Sequence, residues 1–389
     1  MSFLAWIDFD QADRDRTRRI MDLFDSEDSR DELGLGSIRD AISDLLFPGT
    51  STIQTRLRYM LFVPWIYRMA GTRPGPVEAK QQYARALEIR LISALERSPS
   101  GDQRGIIGSQ ARERLKRLPS DVYWAGLLTL GIRRFQGSRS AALEAAPDQA
   151  DLLWAPGLPP PPVGFLEEDA GVGFSLTVDE AGFIRDRLAR EAPQSLFALL
   201  ARQETAPVCA MVWEHPWRGD WPAGIQKLVN HAELFASLMH GASLLYNLML
   251  SERAAVLHGA IGSAWNERAE TYSARLSDWR GSLRHAALLD WNLDDLWEQT
   301  LQTIHVVKPA TRRFVADWRA TVVRTGGAIA NDPDARALVQ DREERLKRLK
   351  SRFSNDGALA RWGGASGTAP LSFRWPVASS HLTDLVNAG

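Results

Sequence analysis

The sequence predicts a mainly α, multi-helical protein with little or no β-sheet, in which two helical domains are joined by a Pro-rich linker. Three observations predict this class. Apolar residues recur at helical spacing along most of the chain, and residues suited to N-capping precede several of these runs. No convincing run of alternating polarity exceeds four residues. Four successive prolines at 159–162 favour an extended, semi-rigid segment between the domains.

The N-terminal helices are predicted from charge, caps and breaks. A highly charged helix is expected over 8–24, and Ser37 is suited to N-cap a short helix that ends near Phe47. Pro48 and Gly49 then break the chain. Further helices are expected over three stretches, namely 78–97, 108–117 and 121–130.

The segment that begins at Ser51 resembles a capping box, because Ser51 and Gln54 have the spacing at which each satisfies the other's backbone donor. We expect it to open a helix with one apolar face. Pro64 should kink or end that helix, since proline lacks an N–H and its ring clashes with the preceding turn. A second capping box, Thr177 to Glu180, should open a helix that runs to about residue 190.

The rest of the chain is also predicted to be helical. The expected helices are 194–202, 224–257, 262–280, 292–304, 308–324 and 332–352. The uncharged run 234–250 falls short of the ~20 residues needed to cross a bilayer and is typical of a buried core helix. The predicted domains are therefore 1–140 with its basic segment 45–140, a linker 141–165, a helical domain 166–360, and a Gly/Ser-rich tail 361–389 with a short apolar segment.

The composition is that of a globular protein with a sizeable core. The 389 residues are 44% hydrophobic and 24% charged, with a net charge of −1. Cys209 is the single cysteine, which fits a reducing compartment, and the N-terminus becomes acidic too early for a signal peptide. We therefore expect a cytoplasmic protein without a membrane partner.

Charge is distributed unevenly along the chain. Residues 45–140 carry 16 basic and 6 acidic side chains, a net charge of +10, whereas residues 141–300 carry 11 and 22, a net charge of −11. Clustered cations are suited to bind phosphate, which predicts contact with DNA or RNA through the basic segment. The candidate residues are Arg56, Arg58, Arg112, Arg114, Lys116, Arg117, Arg133 and Arg134. The alternative is that the basic and acidic regions of the chain complement each other.

Motifs for nucleotide, metal and hydrolase chemistry are incomplete in this sequence. There is no P-loop, and Gly34-Leu35-Gly36 lacks the third glycine of a dinucleotide-binding turn. His231-Ala232-Glu233 matches half of a zinc deaminase signature, but the paired cysteines of the other half are missing. Glu78-Ala79-Lys80 has a nuclease-like spacing but opens a helix. We therefore expect no catalytic site, no metal and no cofactor.

A helical ribonuclease remains an alternative. Ribonucleases of the HEPN type use an Arg-x4–6-His motif, in which the histidine deprotonates a ribose hydroxyl and the arginine orients the phosphate. Arg253 with His258, and Arg280 with His285, both have this spacing. About two such matches are expected by chance, and neither arginine is followed by the polar residue usual in that family.

A Trp-rich segment offers a third function. Residues 213–222 carry three tryptophans four residues apart, interrupted by prolines. Aromatic side chains with an arginine are enriched where proteins bind partners. The candidate partner-binding residues are Trp213, Trp217, Arg218 and Trp221.

Several distinctive segments give the chain a family resemblance. They are residues 46–65, Leu-Phe-Pro-Gly-Thr-Ser-Thr-Ile-Gln-Thr-Arg-Leu-Arg-Tyr-Met-Leu-Phe-Val-Pro-Trp, together with 4–8, 105–108 and 118–124. With these the chain resembles an uncharacterised bacterial family, a domain of unknown function that covers most of its proteins. The resemblance implies an association with genomic islands that carry helicases and antiviral defence genes, and it implies no catalytic residues.

Together these observations predict a non-catalytic helical component of a bacterial multi-protein system, with antiviral defence as the implied setting. It would contact nucleic acid through the basic segment and protein partners such as a helicase. The alternatives are the helical ribonuclease and a protein–protein adaptor that makes no contact with nucleic acid.

Overall fold

The computed structural model describes residues 31–98, 103–146, 149–167, 171–206, 208–259 and 263–389. Over these residues the chain forms fifteen α-helices and no strand, and a single isolated bridge of sheet type joins Arg133 to Trp154. The predicted multi-helical class is thereby confirmed. The helix predicted over 8–24 lies outside the described residues.

The helices are numbered here in chain order. They are α1 Gly36–Leu46, α2 Tyr59–Gly71, α3 Val77–Glu96, α4 Pro119–Thr129, α5 Arg139–Glu144, α6 Val178–Glu191, α7 Leu196–Leu200, α8 Ala223–His258, α9 Ser263–Ser282, α10 His285–Leu289, α11 Leu293–Thr300, α12 Pro309–Thr325, α13 Pro333–Lys347, α14 Asp356–Ala360 and α15 Trp375–Val386.

The chain divides into two compact units, each built from separate stretches of sequence. The first unit contains the described residues within 1–41 and 231–371, and the second contains those within 42–230 and 372–389. The described residues of segment 141–165, which was predicted to be a linker, lie inside the second unit. There the indole N–H of Trp65 donates to the carbonyl of Pro159 at 2.7 Å, which ties the proline run to α2.

The start of α1 differs from the prediction. Ser37 was expected to cap this helix, but the carboxylate of Asp31 accepts hydrogen bonds from the backbone N–H groups of Leu35 (2.8 Å) and Gly36 (2.5 Å). A carboxylate at a helix N-terminus satisfies free donors and is favoured by the helix dipole. The prediction failed because the acceptor lies farther upstream than a local capping pattern reaches.

The start of α2 also differs from the prediction. Residues 51–58 are not helical, because their polar groups are bound elsewhere: the Gln54 amide donates to Gly49 O, and the N–H groups of Thr55 and Arg56 donate to the Tyr123 hydroxyl. The helix begins at Tyr59 and runs through Pro64 to Gly71. Burial of most of α2 outweighs the one backbone hydrogen bond that Pro64 removes.

Helix α2 is the centre of the second unit. It packs against α3, α4 and α5. Aromatic rings surround it: Tyr59 lies 5.2 Å from Tyr123 and 5.5 Å from Phe174, and Phe62 lies 5.9 Å from Phe165, all between ring centroids. Buried aromatic side chains contribute large apolar areas, so this cluster stabilises the packing around α2.

Tryptophans from later helices bind the α8 backbone within the first unit. The indole N–H of Trp279 donates to Ser237 O (2.7 Å) and that of Trp318 to Leu238 O (2.9 Å). Gly241 makes room for the Trp279 ring, since a Cβ at this position would lie 2.2 Å from it. Helix α8 is long and apolar enough to cross a membrane, but 83% of its most apolar stretch is buried inside the protein. It is a core helix, as was predicted for 234–250.

Other elements follow their local signals to different degrees. Thr177 and Glu180 form the predicted capping box at the start of α6. The helix predicted over 108–117 is reduced to a 3-10 turn at Arg112–Arg114. The C-terminal tail contains the unpredicted helix α15, whose Asp384 carboxylate accepts hydrogen bonds from Leu57 N–H (2.8 Å) and from the Arg56 guanidinium (2.8 Å).

Candidate nucleic-acid interface

The structure separates the arginines of the basic segment into buried and exposed groups. The Arg56 guanidinium pairs with Asp384 and lies over the Phe174 ring at 4.6 Å. Arg58 is buried, donating to Glu180 (2.7 Å) and to Gly173 O (2.7 Å). Both arginines therefore join segments that are far apart in the sequence, and their guanidinium groups are occupied within the second unit.

Arg133 is likewise structural. It is 4% exposed, and it donates to the carbonyls of Phe135 (2.7 Å) and Gly137 (3.0 Å). Its guanidinium lies over the rings of Trp124 and Phe135, 4.8 and 5.2 Å from their centroids. Burial lowers the pKa of Arg133. Its neighbour Arg134 is exposed.

The remaining cations cluster on residues 103–117, which we call the basic loop. This loop is held at both ends. Near its start the Thr55 hydroxyl donates to Gly105 O (2.7 Å), and the N–H of Ile107 donates to the Tyr59 hydroxyl (3.0 Å). Near its end, Arg85 of α3 donates to the carbonyls of residues 113 and 115, both at 3.0 Å. The aromatic core of the second unit thus anchors the loop directly.

Close packing also fixes the middle of the basic loop. Gly108 has φ +90°, and a Cβ there would lie 2.5 Å from the Leu115 side chain and 2.9 Å from that of Ile92. Only glycine suits both the conformation and the space. Arg112 adopts φ +45° and pairs with Glu96 at 3.1 Å while its side chain remains 63% exposed. The loop is therefore a preformed surface of the second unit.

Three cations of the basic loop are exposed and make no ion pair with any described residue: Arg114, Lys116 and Arg117. A shallow groove beside them is lined by Ile89, Ile92 and Ser93 of α3 and by loop residues 110–114. Uncompensated charge on a fixed loop beside a groove is suited to the backbone of a nucleic acid, because Lys and Arg side chains neutralise its phosphates.

The two Arg–His pairs of the ribonuclease alternative lie in the first unit. Arg253 pairs with Asp356 at 2.7 Å, and the exposed His258 ring stacks on Trp265 at 6.0 Å. Arg280 donates to Gly326 O at 2.9 Å, and His285 is exposed at the start of α10. Each arginine is therefore held by a contact that does not involve the histidine of its pair.

The Trp-rich segment is largely internal to the second unit. Trp221 is 6% exposed, and the buried His215 ring lies against Trp217 and Trp221 at 5.4 and 5.1 Å. Trp213 packs on Phe373, and Arg218 donates to Trp213 O at 3.1 Å. Trp217, which is 38% exposed, is the tryptophan of this segment that presents the most surface.

Metal-binding geometry is lacking in the described part of the chain: no three or more His, Cys, Asp or Glu side chains are grouped so that they could hold a metal ion. His231, which was compared with a deaminase ligand, instead accepts a hydrogen bond from the Trp291 indole at 2.8 Å.

A second group of cations, at residues 347–361, was not identified from the sequence, although Arg and Lys recur closely there.

The chain belongs to a family of unknown function, DUF6361, whose model matches residues 1–389. The family resemblance drawn from the sequence is thereby confirmed over the whole chain. No curated protein and no solved structure matches it.

Proposed function

We propose that this protein is a non-catalytic helical component of a multi-protein system and that it contacts nucleic acid through the basic loop. The observation that carries the proposal is the set of exposed cations Arg114, Lys116 and Arg117, which have no carboxylate partner among the described residues. A bound phosphate backbone would release counterions from these side chains, which favours binding without base recognition.

The fixed geometry of the loop supports this proposal. Carbonyls of the loop are bound by Thr55 and Arg85, so the backbone loses little conformational entropy when a ligand binds. Arg56, Arg58 and Arg133 are left out of the proposed interface, because their guanidinium groups are occupied inside the second unit. Arg134 is exposed and extends the proposed surface.

The test is fluorescence anisotropy of labelled duplex DNA, single-stranded DNA and RNA with the full chain at low salt. The double variant Arg114→Gln/Arg117→Gln should bind about tenfold more weakly, because two contacts of up to about 1 kcal/mol each are lost. The matched control Arg190→Gln/Arg202→Gln removes the same charge from exposed positions of the acidic region and should bind like the wild type. Equal binding by all three proteins contradicts the proposal.

A protein adaptor is the second candidate, favoured by the exposed ring of Trp217 beside Arg218. Exposed aromatic residues are enriched at the centres of protein interfaces. Co-purification of partners from cells, with and without nuclease treatment, separates the two functions. Partners that survive nuclease and are lost in Trp217→Ala support the adaptor, whereas partners lost on nuclease treatment support the nucleic-acid function.

The proposed setting in bacterial antiviral defence, with a helicase as a partner, rests on the family resemblance. The genes that lie beside this one test it directly. A helicase gene or other defence genes in that position support this setting, and a metabolic operon contradicts it.

A further inference from the structure

A second group of cations surrounds an open pocket in the first unit. Helix α13 ends at Lys347 and is followed by a 3-10 turn, Arg348–Lys350, and then by α14. The pocket between them has a volume of about 490 Å³. Its cationic lining residues are Lys347, Arg348, Lys350, Arg352 and Arg361.

Two of these cations are occupied within the protein. Glu32 accepts from Arg352 at 2.7 Å and from Lys347 at 3.3 Å. The other carboxylate of the pocket, Glu343, accepts from the Ser351 hydroxyl (2.5 Å) and from Arg352 N–H (2.9 Å). Burial raises the pKa of Glu343. Both acidic groups of the pocket are thus compensated by immediate neighbours.

Arg348 and Arg361 give the pocket positive charge that no carboxylate of the described residues compensates. Arg348, Lys350 and Arg361 are exposed, and neither Arg348 nor Arg361 forms an ion pair with any described residue. An uncompensated guanidinium presents a planar fork of donors that matches phosphate oxygens. The pocket is also within the range of about 300–1,000 Å³ that is usual for small-molecule sites.

The turn that carries Arg348 and Lys350 is held by hydrogen bonds to its backbone. Arg348 adopts φ +49°, a conformation that non-glycine residues adopt rarely, and its carbonyl accepts from Ser351 N–H at 3.0 Å. The Asn355 amide donates to Leu349 O at 2.7 Å. Below the turn, the buried Phe353 ring packs on Tyr246 at 5.6 Å. Surrounding contacts therefore stabilise a strained backbone, as is frequent at ligand-binding sites.

We propose that this pocket binds phosphate groups through Arg348 and Arg361. The site is separate from the basic loop, which belongs to the second unit, and it does not depend on the function proposed for that loop. The phosphate can come from a nucleic-acid backbone or from a free oligophosphate such as a nucleotide, since both offer the same oxygens.

The experiment titrates inorganic tripolyphosphate into the full-length protein by isothermal calorimetry. Arg348→Gln/Arg361→Gln should weaken binding at least about 30-fold, because two charge-assisted hydrogen bonds are removed. The control Lys308→Gln/Arg313→Gln removes two exposed cations outside the pocket and should stay within about twofold of the wild type. Arg114→Gln/Arg117→Gln should keep tripolyphosphate binding, which separates this site from the basic loop.

Two further measurements identify the source of the phosphate and exclude a purely structural role. If Arg348→Gln/Arg361→Gln also weakens binding of single-stranded DNA, the ligand is a nucleic-acid backbone; if DNA binding is unchanged, it is a free oligophosphate. The melting temperature of the variant should match that of the control, whereas cations that only stabilise helix ends would lower it without affecting binding. Wild-type binding of tripolyphosphate that is absent, or that is equal in Arg348→Gln/Arg361→Gln, overturns the proposal.

Discussion

His381 in α15 is fully buried, and neither of its ring nitrogens has a hydrogen-bond partner among the described residues. Burial, together with the nearby Arg56 charge, lowers the pKa of His381 from 6.5 to about 3. Below pH 6.5 the unfolded chain therefore binds a proton at this residue that the folded chain does not bind. The contribution of His381 to the free energy of unfolding falls as the pH falls through this range.

Glu88 acts in the opposite direction. It is buried in α3, and burial raises its pKa from 4.5 to about 7, although its carboxylate accepts hydrogen bonds from Ser120 N–H (2.8 Å) and Oγ (2.9 Å). Between these pH values the folded chain holds a proton that the unfolded chain releases. The contribution of Glu88 therefore decreases as the pH rises. Because His381 and Glu88 change the free energy of unfolding in opposite directions as the pH changes, the pH profile of the wild type alone does not isolate the contribution of either residue.

The effect of His381 is visible as a difference between variant and wild type. His381→Leu should raise the free energy of unfolding at pH 7 by about 1–3 kcal/mol, because an unsatisfied buried polar group is removed. This gain should grow by about 2 kcal/mol between pH 7 and pH 5, since the unfolded wild-type chain gains a proton over that range. Urea unfolding at several pH values measures it. A gain independent of pH contradicts the assigned ionisation.

At the scale of elements, local patterns predicted the start of a helix correctly where the residues that cap it lie close together in the sequence. The Thr177 box needs only Glu180, three residues away, and it forms at α6. The Ser51 box failed because Tyr123 and Asp384, far along the chain, bind the same segment. The short-range signal is the same in both cases. Tertiary contacts determined which of the two segments forms its capping box, and no local sequence pattern contains those contacts.

The contacts that attach α15 to residues 56 and 57 lead to a prediction at the scale of elements. Asp384→Asn removes a carboxylate that binds both Arg56 and Leu57 N–H, and it should cost about 3 kcal/mol because a largely buried guanidinium loses its counter-charge. Backbone amides of α15 should exchange with deuterium faster, which mass spectrometry can measure. The control Asp317→Asn, at an exposed carboxylate of α12, should leave exchange unchanged. Unaltered exchange in α15 would show that this ion pair does not hold the helix.

At the scale of the whole molecule, net charge located the basic segment, but it did not show which of the cations in that segment are exposed and free of internal ion pairs. Residues 45–140 carry a net charge of +10, yet Arg58 is buried against Glu180, which lies 122 positions later. Charge counting cannot foresee such a pairing, because it depends on which distant segment folds against the arginine. What remained predictable was the concentration of cations near residues 112–117, of which Arg114, Lys116 and Arg117 form no ion pair with any described residue.

The dependence of DNA binding on salt concentration tests the central claim most directly. The logarithm of affinity should fall linearly with the logarithm of salt concentration, with a slope of about −0.9 per duplex phosphate neutralised. Arg114→Gln/Arg117→Gln should make this slope shallower by about 1.8, whereas Arg190→Gln/Arg202→Gln should keep the wild-type slope. A slope that is identical in both variants and the wild type would contradict nucleic-acid contact through the basic loop.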